Sequence, residues 1–242
     1  MNLATESVAL NLLGAIVYSA LVLVGGRFWA VRKRKNKAHR LWPFDSDSIV
    51  ILAKSVETDT GKYRRPATGL GQVRALAMIS PTLSEVTGEL DVNRVVFSDF
   101  HLHNFLENNL VLLGGVKNNE ITRLIMTKLC GGKHLLSQKD SVITWGEVNY
   151  EGKVNTEGEI ETDYGYFIRC KNPFGTKGTV VVILAGAHTY GTLAAARWYV
   201  EESQKRGSAI RNHRYFEGLV EVNVVKGHVA IPKLLNVQVL ND

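Results

Sequence analysis

The chain has 242 residues, room for one domain of ordinary size and something extra. Its 45% apolar content is that of a globular protein and excludes wholesale disorder. Of its 29 basic and 23 acidic residues, seven basic ones (Arg27, Arg32, Lys33, Arg34, Lys35, Lys37, Arg40) and one acid (Glu6) lie in residues 1–40, which leaves 22 of each sign elsewhere. The net charge of +6 therefore belongs to one short segment, and the rest of the chain has no positive excess to grip the backbone of a nucleic acid duplex. The two cysteines, Cys130 and Cys170, have no metal or redox spacing and read as free thiols in a reducing compartment.

Ser7–Gly26 is twenty residues without a charge, long enough to cross a bilayer core of ~30 Å. Phe28 and Trp29 then suit an interfacial anchor, and the basic block follows. The charge order opposes a cleaved signal peptide and predicts a single-pass inner-membrane protein with its N-terminus outside and its body cytoplasmic. Residues 7–29 would meet the lipid. Ser7, Asn11, Ala15 and Ser19 recur on one face with Gly14 and Tyr18 beside them, a stripe that would let helices pack as a homo-oligomer. The expected division is an anchor over 1–31, a basic juxtamembrane linker over 32–47 and a cytoplasmic domain over 48–242.

Within that domain "SIVILAKS" reads as a buried strand, "VETDTGKYRRPATGLG" as a polar loop, and "QVRALAMISPTLSEV" as a helix kinked or split at Pro81. "VNRVVFSDF" and "NLVLLGG" read as strands. "NNEITRLIMTKL" reads as a helix capped by Asn118 or Asn119, with Ile121, Leu124, Ile125 and Leu129 on one face and Gly131–Gly132 ending it. Ser141–Cys170 alternates and is broken by turns, so it reads as antiparallel hairpins. "TVVVILAG" is another buried strand, "TLAAARWYVEESQ" an amphipathic helix, and the tail two strands around a Lys-Gly turn. The fold class expected is α/β: an N-terminal transmembrane helix, then a Rossmann-like, mostly parallel sheet with helices on both faces and a β-hairpin extension at its edge.

In such a sheet ligands bind outside the carboxyl ends of the strands, and three loops would open there. The first offers Ser55, Arg64 and Arg65. The second, "GGVKNN", offers Gly114, Gly115, Lys117, Asn118 and Asn119. The third, "GAHTYGT", offers Gly186, His188, Thr189, Gly191 and Thr192. Glycines before helix N-termini, with Lys, Arg and hydroxyl donors, suit an anion. Taken singly, each glycine pair also reads as a plain tight turn. Gly186–Thr192 has half of a P-loop spacing without its lysine, and no loop has the dinucleotide fingerprint, so no cofactor is expected. "FSDFHLHNF" superficially resembles the first motif of metal-dependent phosphoesterases through Asp99, His101 and His103. The later histidines (His134, His188, His213, His228) are scattered singly, and no metal is expected. Asp163-Tyr164-Gly165-Tyr166 and Asn172-Pro173-Phe174 read as turn chemistry, with Asp163 able to reach a ligand from the sheet edge.

With its anchor and with "LLGGVKNN" and "LAGAHTYGT" at strand ends, the chain resembles membrane effectors of prokaryotic nucleotide-based antiviral defence, whose soluble parts are Rossmann-like sensors of the CARF and SLOG type. In SLOG-type domains the glycine-rich stretch leads into a Thr-x-x-Glu-like helix start; here Thr192 is followed by Leu-Ala-Ala. The resemblance implies a tethered oligomer that binds a small anionic, nucleotide-like signal. Two alternatives stay open. One is a membrane-tethered nucleotide or NAD hydrolase using Glu57, Glu120 or Asp163 as general acid/base; no complete catalytic motif supports it. The other is a structural or partner-binding membrane protein.

Overall fold

The computed structural model describes residues 3–44, 48–59, 61, 63–99, 105–129, 134–175, 178–203, 205, 207–208 and 210–240, with side chains for all of these except 3–17, 20, 58 and 64. His101, His103, Cys130 and the Gly131–Gly132 stop lie outside the described residues, and Ser7, Asn11 and Ala15 of the small-residue stripe lie outside the described side chains.

Helix α1 (Leu3–Leu41) runs without a break through the expected anchor and the basic block. Among the described residues no helix is long and apolar enough to cross a membrane. That overturns the transmembrane helix on which the expected fold began. The helix also differs in extent: Arg27 does not end it, and Arg32, Lys33, Arg34, Lys35, Lys37 and Arg40 ride on the same rod as Leu21–Val24. At the C-terminal end of α1 and just beyond it, Ala38, Leu41, Trp42 and Phe44 are buried in the core.

The core is built on a nine-stranded sheet ordered β13-β12-β10-β11-β5-β1-β4, with β14 also paired to β12 and β9 to β10. Its strands are β1 (Ser48–Leu52), β4 (Val95–Phe97), β5 (Asn109–Leu113), β9 (Lys153–Val154), β10 (Ile160–Lys171), β11 (Val180–Gly186), β12 (Phe216–Val225), β13 (His228–Val229) and β14 (Lys233–Val239). Only β4, β1, β5 and β11 are mutually parallel. β10 is antiparallel to β11 and β12, and β12 to β13 and β14. The mostly parallel, Rossmann-like expectation is therefore replaced by a mixed sheet. The antiparallel strands are all added on one side of the parallel ones, beyond β11, and are too many to be a mere hairpin at the edge. Both hydrophobic faces of β10 are covered, so its buried run from Asp163 to Cys170 has the composition of a parallel strand. Burial reports layers, not direction.

One face carries α1, α2 (Leu70–Thr87) and α4 (Thr189–Glu201) over a cluster that includes Trp42, Val50, Ile79, Val182, Leu184 and Tyr199. The other carries α3 (Glu120–Leu129) and a separate three-stranded sheet of β6 (Leu136–Lys139), β7 (Val142–Trp145) and β8 (Val148–Glu151) over Ile51, Leu112, Tyr166, Ile168 and Ile183. The stretch read as a polar loop forms a hairpin, β2 (Val56–Asp59) with β3 (Arg64–Ala67). α2 continues through Pro81 as one helix, and Leu124 lies on the exposed side of α3 rather than with Ile121 and Ile125.

The end of α1 is fixed to this core. Arg169 of β10 is buried and donates to the carbonyls of Arg40, Leu41, His213 and Arg214. A cation at a helix C-terminus is favoured by the helix dipole, and four carbonyl partners offset its desolvation. Tyr199 of α4 adds a second donor to the Leu41 carbonyl.

α4 lies unusually close to β10 and β11. A methyl group at Gly165 would collide with the Gly191 carbonyl, one at Gly191 with the Tyr164 carbonyl, and one at Gly186 with the Gly191 backbone. These glycines set the distance between helix and sheet. Gly165→Ala is expected to cost about 1–3 kcal/mol, the usual range for overpacking a tight core. Urea unfolding measures it; an unchanged midpoint and slope would show that the backbones are not held in contact.

Candidate functional site

β1 leads through the hairpin to α2 on one face, β5 leads to α3 on the other, and β11 leads to α4 back on the first. Neighbouring strands thus send their chains to opposite faces, which leaves a crevice at their carboxyl ends. A cavity of about 290 Å³ occupies it. Ser55 from the first loop, Gly115, Lys117 and Asn118 from the second, and Gly186, His188, Thr189 and Thr192 from the third all line it.

Arg65, Gly114, Asn119 and Gly191, expected at the site, do not line it, and the side chain of Arg64 lies outside the described ones. Arg65 sits exposed on β3, and Arg64 belongs to the same hairpin. Gly114 lies behind the cavity with φ 111, which favours glycine, and its carbonyl accepts from Thr122 Oγ1 at 2.9 Å. Asn119 is fully buried: its Oδ1 accepts from Thr122 N at 3.0 Å and caps α3, while its Nδ2 donates to the carbonyls of Ile51 and Leu113. Gly191 is a packing residue.

Gly69, at the end of the first loop, lines the cavity as well, and sequence reasoning missed Gln72, Gln138, Ser141, Ile160 and Ala187. Gln138 could not have been found from motif signals, because it comes from β6 of the smaller sheet. Its Oε1 accepts from Tyr166 Oη at 2.8 Å and Val116 N at 3.2 Å, and its Nε2 donates to the carbonyls of Gly186 and Asp140. Those four bonds fill the capacity of the amide, so Gln138 pins the second loop to the third. Gln72 and Gly69 belong to the start of α2, whose Gly71 N–H donates to Thr189 Oγ1 at 2.9 Å. The N-termini of α2 and α4 are thereby tied together.

The third loop is organised from the neighbouring strand. Asp163 of β10 is fully buried. Its Oδ2 accepts from Gly191 N at 2.6 Å, and its Oδ1 from Tyr164 N at 2.8 Å and His188 N at 3.2 Å. His188 Nδ1 lies 3.3 Å from the same Oδ1. An ionised carboxylate only accepts, so Nδ1 carries a proton in that contact. Asp163 holds the imidazole's pKa above its ordinary 6.5; partial burial and Lys117 pull the other way without winning. Asp163 is thus neither turn chemistry nor a ligand contact at the edge.

No Asp or Glu lines the cavity among the described residues, whereas Lys117 and His188 both do. Ser55, Ser141, Thr189 and Thr192 add hydroxyl groups and Asn118 an amide. Glu120, at the exposed start of α3, does not reach it, and Glu57 is engaged with Lys54, which also pairs with Asp99. Among the described residues no group of His, Cys, Asp and Glu is arranged to hold a metal ion. Cys170 is buried with its thiol pushed up to about 12, chiefly by burial, and is inert as a nucleophile.

No protein-family model and no curated protein sequence matches the chain.

A raised folded pKa has a definite sign. The stability supplied by the His188–Asp163 contact is fully present below pH ~6.5 and is lost as pH rises through the raised value. Urea midpoints measured from pH 5 to 9 should fall through that window in the wild type and lose that segment of the fall in His188→Gln. The same pH profile in both proteins would contradict the contact.

Proposed function

We propose that the crevice binds a small anionic, nucleotide-like ligand through its phosphate. The observation that supports this reading is the lining: a lysine, a histidine whose pKa Asp163 raises, and several hydroxyl and amide groups, with no carboxylate among the described residues. Anions gain most from charge-assisted donors in a partly desolvated site. The helix N-termini contribute less than the glycine motifs suggest, since Gly191 N–H is committed to Asp163 and Gly71 N–H to Thr189. The weight falls on Lys117 and His188.

A signalling role has a route in α4. That helix begins at the cavity with Thr189 and, ten residues on, meets the end of α1 through Tyr199 and the Leu41 carbonyl. A ligand that shifts the start of α4 would strain the docking of α1.

A hydrolytic reading has one observation in its favour, the Asp163–His188 contact, which orients an imidazole beside the cavity as general acid–base catalysts are oriented. It moves the proton carrier from Glu120 or Asp163 to His188.

Pyrophosphate is the direct probe. It should raise the Tm of the full chain in a concentration-dependent way, by mass action on the folded state. Lys117→Ala should weaken it about tenfold or more, the loss of one charge-assisted bond. No Tm shift at millimolar pyrophosphate would contradict the reading. Release of phosphate or base from nucleotides by the wild type, lost in His188→Gln, would decide for hydrolysis over binding.

A further inference from the structure

The crevice is one half of a larger depression. A second cavity, of about 560 Å³, adjoins it, and Ile160 and Thr189 line both. The two differ in chemistry. The second is walled by Tyr190 of α4 and Val224 of β12, and it is lined by the carboxylates of Glu159 and Glu161 and by a single cation, Lys226. Val224 is buried and Tyr190 half-buried, so an apolar wall with one aromatic ring stands beside two acceptors.

We infer that the two cavities form one bipartite site for a ribonucleoside phosphate, with the phosphate in the crevice and the nucleoside across the Ile160–Thr189 ridge. This rests on the anion-binding reading of the crevice and extends it. Three features fix the arrangement. The crevice, at about 290 Å³, is at the lower limit of ligand pockets, whereas the pair together falls well within the usual range of about 300–1000 Å³. Glu159 and Glu161 outnumber Lys226 at the second cavity, whereas Lys117 and His188 stand in the first with no carboxylate among the described residues, so the charge balance favours the phosphate in the crevice. Carboxylates accept from the hydroxyls of a ribose diol, as an acidic side chain does at the ends of strands in other nucleotide sites. The Tyr190 ring then offers a surface for the base, a contact that does not discriminate strongly between bases.

The positions also explain why one residue serves both halves. Thr189 opens α4 with its hydroxyl held by Gly71 and Gln72. The residue after it, Tyr190, leaves the first turn toward the second cavity, where the Gly227 position of the β12–β13 turn lies beside its hydroxyl. Phosphate and nucleoside contacts are thus adjacent in sequence at one helix start.

Titration calorimetry on the full chain tests this, with inorganic pyrophosphate, the ribonucleoside 5′-monophosphates AMP, GMP, CMP and UMP, and 2′-deoxy-AMP. At least one ribonucleotide should bind about tenfold tighter than pyrophosphate. Tyr190→Ala should remove that advantage and leave pyrophosphate binding unchanged, and Tyr190→Phe should keep it. The double change Glu159→Gln with Glu161→Gln should erase the preference for AMP over 2′-deoxy-AMP. Unchanged pyrophosphate affinity in each variant certifies the fold. If pyrophosphate binds and no ribonucleotide binds more tightly, or if Tyr190→Ala weakens both probes equally, the bipartite site is wrong and the anion cavity stands. If no probe binds, the anion cavity falls, and this inference with it.

Discussion

A buried carboxylate holds the edge of the sheet together. Asp163 sits in a strand with no access to water and accepts from the backbone of Tyr164, His188 and Gly191 and from the His188 ring. Removing a carboxylate from water is costly unless it is paired or hydrogen-bonded, so these donors are obligatory once the strand is buried. One of them is an N–H of the first turn of α4, where the helix dipole also favours negative charge. The carboxylate therefore joins β10, the loop after β11 and the start of α4 into one unit. It also fixes where His188 stands and keeps it cationic to higher pH.

The glycines complete what the carboxylate starts. Gly165, Gly186 and Gly191 let the backbone of α4 rest on β10 and β11 with no side chain between them. That close approach brings Thr189 against the start of α2, so two helices and the end of a strand converge on the same few ångströms. Gln138 closes the opposite wall by bonding both loops at once. The cavity is therefore framed by residues whose own hydrogen bonds are already spent. What remains to meet a ligand is a smaller group, centred on Lys117 and His188.

Much of this was legible in the chain. The strands Ser48–Leu52, Asn109–Leu113 and Val180–Gly186 announced themselves as apolar runs ending in loops, and the convergence of three loops on one edge followed from treating those strands as parallel. The length of β10 and its place between β11 and β12 were not legible. Gly165 interrupts it, and a twelve-residue strand looked like two pieces of hairpin, although the glycine is there to admit α4. Asp163 looked like a turn residue because its partners lie more than twenty positions away, at His188 and Gly191. Sequence spacing carries no trace of a contact between a strand and the far end of its neighbour. The continuity of α1 was hidden for a different reason: charge pattern marks where a helix changes solvent, not whether it continues. Gln138 and the second cavity depend on β6 and on the β12–β13 turn, and only the packing of separate elements brings them to the site.

Two described surfaces of the molecule carry basic side chains, which makes the location of any anion the decisive observation. Besides the crevice, a groove along α1 is lined by Arg32, Lys33, Lys37 and Arg40 with Arg211 opposite. A crystal structure of the chain grown with pyrophosphate separates the two. The account predicts density in the crevice within hydrogen-bonding distance of Lys117 Nζ and the His188 ring, with Asp163 still bonded behind the imidazole. Density confined to the α1 groove, with an empty crevice, would contradict it.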